Sequence, residues 1–209
     1  MMYTYEDLGW RTPFVVIAIL LNVVLGLVTA GLGLLVGESD PSLLLAAILV
    51  PAFFGSLGSF LASIIAVCVW THRACANAHA IAGDWVAPSL TPSEAVWAYF
   101  IPFVNLVRPY QATREIQLAS QGEAGDSPLL SVWWGAWIVG NILANIAFRI
   151  DSAGLDFASN CVHAVAGVSL VVLTRHIHQL QRTRFEEQRR KNAPDVASFR
   201  AAPEARVEP

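Results

Sequence analysis

Charge is scarce in this sequence. Only 14% of the 209 residues are Asp, Glu, Lys or Arg, against 55% hydrophobic, whereas a soluble domain carries about 25% charged residues. Strand-like alternation of apolar and polar residues is missing too, which excludes a β-barrel reading in favour of helices. Cysteine is sparse and odd in number: Cys68, Cys75 and Cys161 are widely spaced with no CxxC pair, so neither a disulfide framework nor a zinc-finger spacing is present. Catalytic signatures are likewise missing. No HExxH helix, no GxSxG elbow and no pair of carboxylates within an apolar run occurs, and chemistry needs a nucleophile or acid–base group with a partner. The expectation is a protein that is not an enzyme.

What is present is long apolar runs. Four segments reach the roughly 20 residues needed to cross a hydrocarbon core of about 30 Å: Pro13–Gly37, Leu43–Trp70, Leu129–Phe148 and Phe157–Thr174. The first far exceeds a signal-peptide core of about 7–15 residues, and Glu6 and Asp7 precede it, so it reads as a retained anchor. Pro51 predicts a kink near the start of the second run. The fold class expected is all-α, an integral membrane bundle of four transmembrane helices in residues 1–174. A basic juxtamembrane helix over 175–191 and a disordered tail over 192–209 would follow.

Cation placement gives an orientation. With four crossings, twelve of the thirteen Lys and Arg residues lie on the side of the N-terminus, residues 71–128 and the tail, and Arg149 alone lies opposite. Lys and Arg accumulate on the cytoplasmic side, so both termini are expected in the cytoplasm, with the protein in the cell membrane. The partners expected are membrane lipids and a membrane or cytoplasmic protein, not nucleic acid.

Between the second and third spans lies an apolar stretch too short and too interrupted to cross, "WAYFIPFVNLVRPYQATREI" (97–116). Thr91-Pro92-Ser93-Glu94 ahead of it is a capping box with proline at the first helical position. Pro102 and Pro109 each remove a backbone donor. A re-entrant or interfacial broken helix is therefore expected, since a fifth crossing would put the basic tail outside.

Small residues at Gly26, Ala30, Gly33 and Gly37, and at Gly55, Ser59, Ala62 and Ala66, predict close helix contacts. Asn22 and Asn141 fall at mid-depth and are expected to face the bundle interior, as glue between helices more than as a substrate path. Cys68, His72, Cys75 and His79 share a helix face, but one straight helix cannot wrap a tetrahedral ion. A second helix would have to contribute, and His176 is the residue at the depth of His72. No metal and no cofactor is expected.

Arg73 and Asn77, where the second helix leaves the bilayer, and Asn105, Arg108, Gln111 and Glu115, on the broken segment, form the candidate binding set. Arg73–Glu115 and Asn77–Asn105 are the pairings expected if these elements converge. A lipid headgroup or a partner protein is the leading ligand. The runner-up is a small transporter or channel subunit, for which a broken helix is the pointer.

The stretches "WTHRACANAHAIAG" (70–83), "AVWAYFIPFVNLVRPYQATREI" (95–116) and "WWGAWIVGNIL" (133–143) resemble the bacterial membrane family catalogued as domain of unknown function 4328. Its pattern is Trp-x-x-Arg-Ala-x-x-Asn-Ala, here Trp70 to Ala78. Ile-Pro-Phe-x-Asn-Leu-x-x-Pro-Tyr follows, here Ile101 to Tyr110, then Glu-Ile and a tryptophan-rich helix. The resemblance covers about residues 60 to 180. Gln117 departs from it, standing where relatives often have tryptophan, and His72, Cys75 and His79 are outside the pattern. The resemblance implies a multi-helix membrane domain and supplies no activity.

Overall fold

The computed structural model describes residues 3–36, 43–82, 87–122, 125 and 127–192. Gly37 and residues 193–209 of the expected tail lie outside them. Among the described residues every regular element is a helix: α1 (Arg11–Val36), α2 (Leu43–Ile81), α3 (Pro92–Trp97), a 3₁₀ turn (Val104–Leu106), α4 (Arg108–Gln121), α5 (Pro128–Ile150) and α6 (Ala153–Lys191). Four of these, α1, α2, α5 and α6, are long and apolar enough to span a membrane.

The spanning helices pack in the order α2–α1–α6–α5, each along the next. Side chains seal the first of these interfaces. Ser63 Oγ donates to the Ala18 carbonyl at 2.9 Å and Ser59 Oγ to Asn22 Oδ1 at 3.3 Å, so Asn22 does link two helices. Asn141 does not: its Nδ2 donates 2.7 Å to the Trp137 carbonyl of its own helix. Small residues set the closest approaches. An added Cβ would stand 2.9 Å from Asn160 Oδ1 at Gly26 and 2.7 Å from His163 Nε2 at Gly140, whereas Gly33 has nothing within 4 Å. Only part of the expected glycine stripe is therefore a packing face.

Helix ends follow local chemistry. The capping box forms as expected, with Thr91 Oγ1 accepting from Glu94 N and the Glu94 carboxylate accepting from Thr91 N; that backbone bond, with a second from the Thr91 hydroxyl, holds the Glu94 carboxyl below its ordinary pKa. The fourth span starts earlier than the apolar run, at Ala153, because the Ser152 hydroxyl accepts from Leu155 N and caps it. α2 runs unbroken through Pro51 and on past Trp70 to Ile81.

The segment between α2 and α5 differs from the expected break in one respect. α3 stops at Trp97, before Pro102, and Pro109 opens α4 instead of ending a helix. Proline costs nothing in a first turn, where its missing N–H would have no partner. The turn between them carries Phe103 at φ +65°, a conformation costing a non-glycine residue roughly 1–3 kcal/mol. α4 packs on α2, α6 and α5, and Trp134 Nε1 donates to the Leu106 carbonyl at 3.1 Å. The segment thereby bridges α2 to α5.

Candidate functional site

The family-like motif on α2 is a packing device first. Trp70 is 2% exposed and its Nε1 donates to Thr12 Oγ1 of α1 at 3.3 Å. Ala74 and Ala78 are fully buried, and their small size admits Gln181 of α6, whose Nε2 donates to the Ala74 carbonyl at 2.9 Å and to Ser120 Oγ of α4 at 3.2 Å. Asn77 Nδ2 donates to Gln181 Oε1 at 3.1 Å. One buried amide pair thus ties α2, α4 and α6. Gln181 sits in a run that reads as surface, "RHIHQLQRTR", and no local pattern marks it as buried.

Asn77 also holds the chain's own N-terminal strap, residues 3–8. Its Oδ1 accepts from Glu6 N at 3.0 Å and its Nδ2 donates to Glu6 O at 2.8 Å. The Glu6 carboxylate pairs with Arg11 at 2.9 Å and Arg73 at 3.2 Å, and Arg73 donates to the Thr4 carbonyl at 2.6 Å. Asp7 pairs with His178 of α6 at 2.9 Å. Tyr3 stacks on His79 and Tyr5 on Phe185, and Leu8 is fully buried. The strap's acids were legible as a leader flank, not as partners of a motif some 70 residues away.

The six candidate residues accordingly fall into two groups. Arg73 and Asn77 meet at the strap. Glu115 turns to the loop before α3, accepting from Ser89 N at 2.7 Å and Ser89 Oγ at 2.9 Å. Asn105 is half-buried, and Arg108 and Gln111 are exposed. The expected Arg73–Glu115 and Asn77–Asn105 pairings are thus replaced: Glu6 is the acid beside Arg73, because the strap brings it across the end of α2, and Gln181 is the amide beside Asn77.

Beside the strap an open cleft of about 570 Å³ is lined by Arg11, Cys68, His72, Arg73, Ser93 and Trp97. A second, of about 430 Å³, is lined by Arg175, His178, Gln179 and Arg182 of α6. Next to the first cleft, Trp97, Phe100, Ile101, Phe103, Leu106 and Val107 are all exposed, Phe103 by 85%. Cys75 Sγ and His79 Nε2 both turn to the Leu90 carbonyl, at 3.4 and 3.0 Å, so the histidine–cysteine face closes the loop after α2. Among the described residues no group of three or more His, Cys, Asp or Glu side chains could hold a metal ion.

Two electrostatic features follow from this packing. The hydrogen bond from His178 holds the Asp7 carboxyl below its ordinary range. Because its folded pKa is depressed, Asp7 steadies the strap above the unfolded carboxylate pKa, and that contribution is lost as pH falls through the folded value. Burial pushes the Tyr99 hydroxyl up, between Thr71 and Thr113, which bond it.

Gln117 is the buried exception. It is 1% exposed, and neither amide atom has a hydrogen-bond partner. An unsatisfied buried polar group costs about 1–3 kcal/mol. Gln117→Met, which keeps the volume and removes the amide, is expected to raise thermal stability by a comparable amount. An unchanged or lower unfolding temperature in detergent would show that the amide is satisfied.

No curated protein and no solved structure matches the chain. Residues 42–179, more than half of the sequence, match the family described as Domain of unknown function (DUF4328). The match takes in the Trp70–Ala78 motif, the broken segment and the tryptophan-rich α5, but neither Glu6 nor Gln181. With four membrane-length helices and the motif residues placed as above, the chain is a membrane protein that belongs to the domain of unknown function 4328 family.

Proposed function

We propose that the protein is a non-enzymatic module of the bacterial inner membrane, with both termini cytoplasmic, and that its basic end holds an anionic lipid headgroup in the Arg11–Arg73 cleft. The observation that carries this reading is the juxtaposition of two chemistries. Two arginines, His72 and the Ser93 side chain line an open cleft, and an exposed aromatic and aliphatic edge from Trp97 to Val107 adjoins it. Arginine forks match phosphate oxygens, and aromatic rings favour the headgroup level of a bilayer. Phe103 fits the tip of such an edge: its backbone is strained and its ring is presented outward. The strong excess of cations on this side agrees with a cytoplasmic placement.

The test is native mass spectrometry of the full-length protein released from nanodiscs containing phosphatidylglycerol. Arg73→Ala is expected to cut retained anionic lipid about tenfold or more, in line with the 1.5–3 kcal/mol or so of a hydrogen bond to a charged group, while Arg108→Ala, outside the cleft, leaves it unchanged. Equal loss from both variants would mean general surface charge. Retention of a protein in place of lipid would favour a partner-binding role. Accessibility labelling of single cysteines at 101 and 105 checks the membrane-facing edge: rapid reaction at both in intact membranes would remove it.

A further inference from the structure

The two basic clefts are not independent, because adjacent residues of the strap serve both. Glu6 lies between Arg11 and Arg73 at the first cleft. Asp7 pairs with His178 at the second, which Arg175 and Arg182 also line. Consecutive Cα atoms are about 3.8 Å apart, so two negative charges on a short tether reach the Arg11–Arg73 pair and His178 at once. Arg182 is also paired with Glu186 at 3.1 Å, so positive charge is in excess at the second cleft only once Asp7 leaves it, whereas Arg11 and Arg73 outnumber Glu6 at the first.

The attachment is uneven along the strap. Leu8 is a fully buried anchor, and Gly9, at φ +23°, follows it as a swivel. The Glu6 and Asp7 side chains are more than half exposed, and ion pairs with that exposure are weak and exchangeable. A second anion of matching charge and spacing can therefore compete for the arginines while Leu8 stays in place.

We propose that Glu6 and Asp7 are a built-in stand-in for a lipid headgroup with two phosphates, and that such a lipid occupies both clefts by displacing residues 3–7. This rests on reading the Arg11–Arg73 cleft as a headgroup site. Two phosphodiesters joined by a glycerol bridge carry the same two charges as the Glu6–Asp7 pair. A single-phosphate lipid answers only one cleft and leaves the other carboxylate holding the strap down. The strap is then a latch, and its release reports which class of lipid surrounds the protein.

The test uses the full chain in nanodiscs of phosphatidylcholine doped with either cardiolipin or phosphatidylglycerol at equal total negative charge. Hydrogen–deuterium exchange of residues 3–9 reads the latch, since Glu6 N–H is bonded to Asn77, and native mass spectrometry reads retained lipid. Cardiolipin is expected to speed strap exchange, and phosphatidylglycerol is not. E6Q and D7N keep the backbone bonds to Asn77, so both fold. D7N is expected to raise cardiolipin retention up to roughly fivefold, the value of one exposed ion pair, and E6Q, which removes two, by at least as much. An equal response to the two lipids overturns the two-phosphate assignment. Cardiolipin retained without faster strap exchange overturns the latch while leaving the headgroup site standing. Retention by no variant overturns both.

Discussion

Asn77→Leu is expected to be the most destabilising single change at the basic end, by about 1–3 kcal/mol. Leucine fits the volume but removes the partner of three groups at once. Gln181 Oε1 loses its donor, and Glu6 loses the partners of both its N–H and its carbonyl. Asn77 and Gln181 are fully buried, so water cannot replace the bond between them, whereas the exposed Glu6 can turn its backbone groups to solvent. Gln181→Leu alone would leave Asn77 Nδ2 with only the Glu6 carbonyl and remove the donors to Ala74 O and Ser120 Oγ. The double change to leucine should therefore cost less than the sum of the singles, as expected for neighbours in one network. Thermal unfolding in nanodiscs, followed by far-UV circular dichroism, measures this. A loss of under about 0.5 kcal/mol for Asn77→Leu, the size of a neutral surface change, would mean that the amide pair does not hold the helices together.

The second large effect is expected at Gly167 of α6, which packs against α1. A Cβ there would stand 2.7 Å from Val23 Cγ2 and 3.2 Å from Ile19 Cγ2. Neither neighbour can swing away, since β-branched side chains in helices have essentially one rotamer. Gly167→Leu must push α1 off α6 at a cost of about 1–3 kcal/mol for overpacking, beyond the lost contacts between the two helices. Because α1 joins α2 to α6, the disruption should spread, with loss of monodisperse protein on detergent extraction. Gly33→Leu is the control: nothing lies within 4 Å of it, and no loss is expected. Adding Val23→Ala to Gly167→Leu should restore part of the stability. If it does not, the contact at Val23 is not the cause.

The sequence by itself determined the class of this protein and its local punctuation. Four uncharged runs must be helical because lipid offers no partner for backbone groups, and they are the helices α1, α2, α5 and α6. Thr91 to Glu94 starts a helix wherever it stands, because the capping partners lie three residues apart. The Trp70–Ala78 and Ile101–Tyr110 stretches placed the chain in its family for the same reason: they are short and contiguous.

Tertiary structure decided who meets whom. Glu6 reaches Arg73 and Asn77 only because the strap turns back at Leu8 and Gly9, and Gln181 reaches Ala74 only because α6 crosses α2 at its basic end. Nothing within a few residues of Glu6, Gln181 or Glu115 encodes those choices. Charge and hydrogen bonding have no periodicity to read. A carboxylate will answer whichever cation the packing presents, so Glu115, the acid nearest Arg73's motif partners in the sequence, capped Ser89 instead. Proline shows the same division. Its missing N–H is a local fact, but whether Pro109 ends a helix or begins one depended on where α4 could find α2, α6 and α5 to pack against.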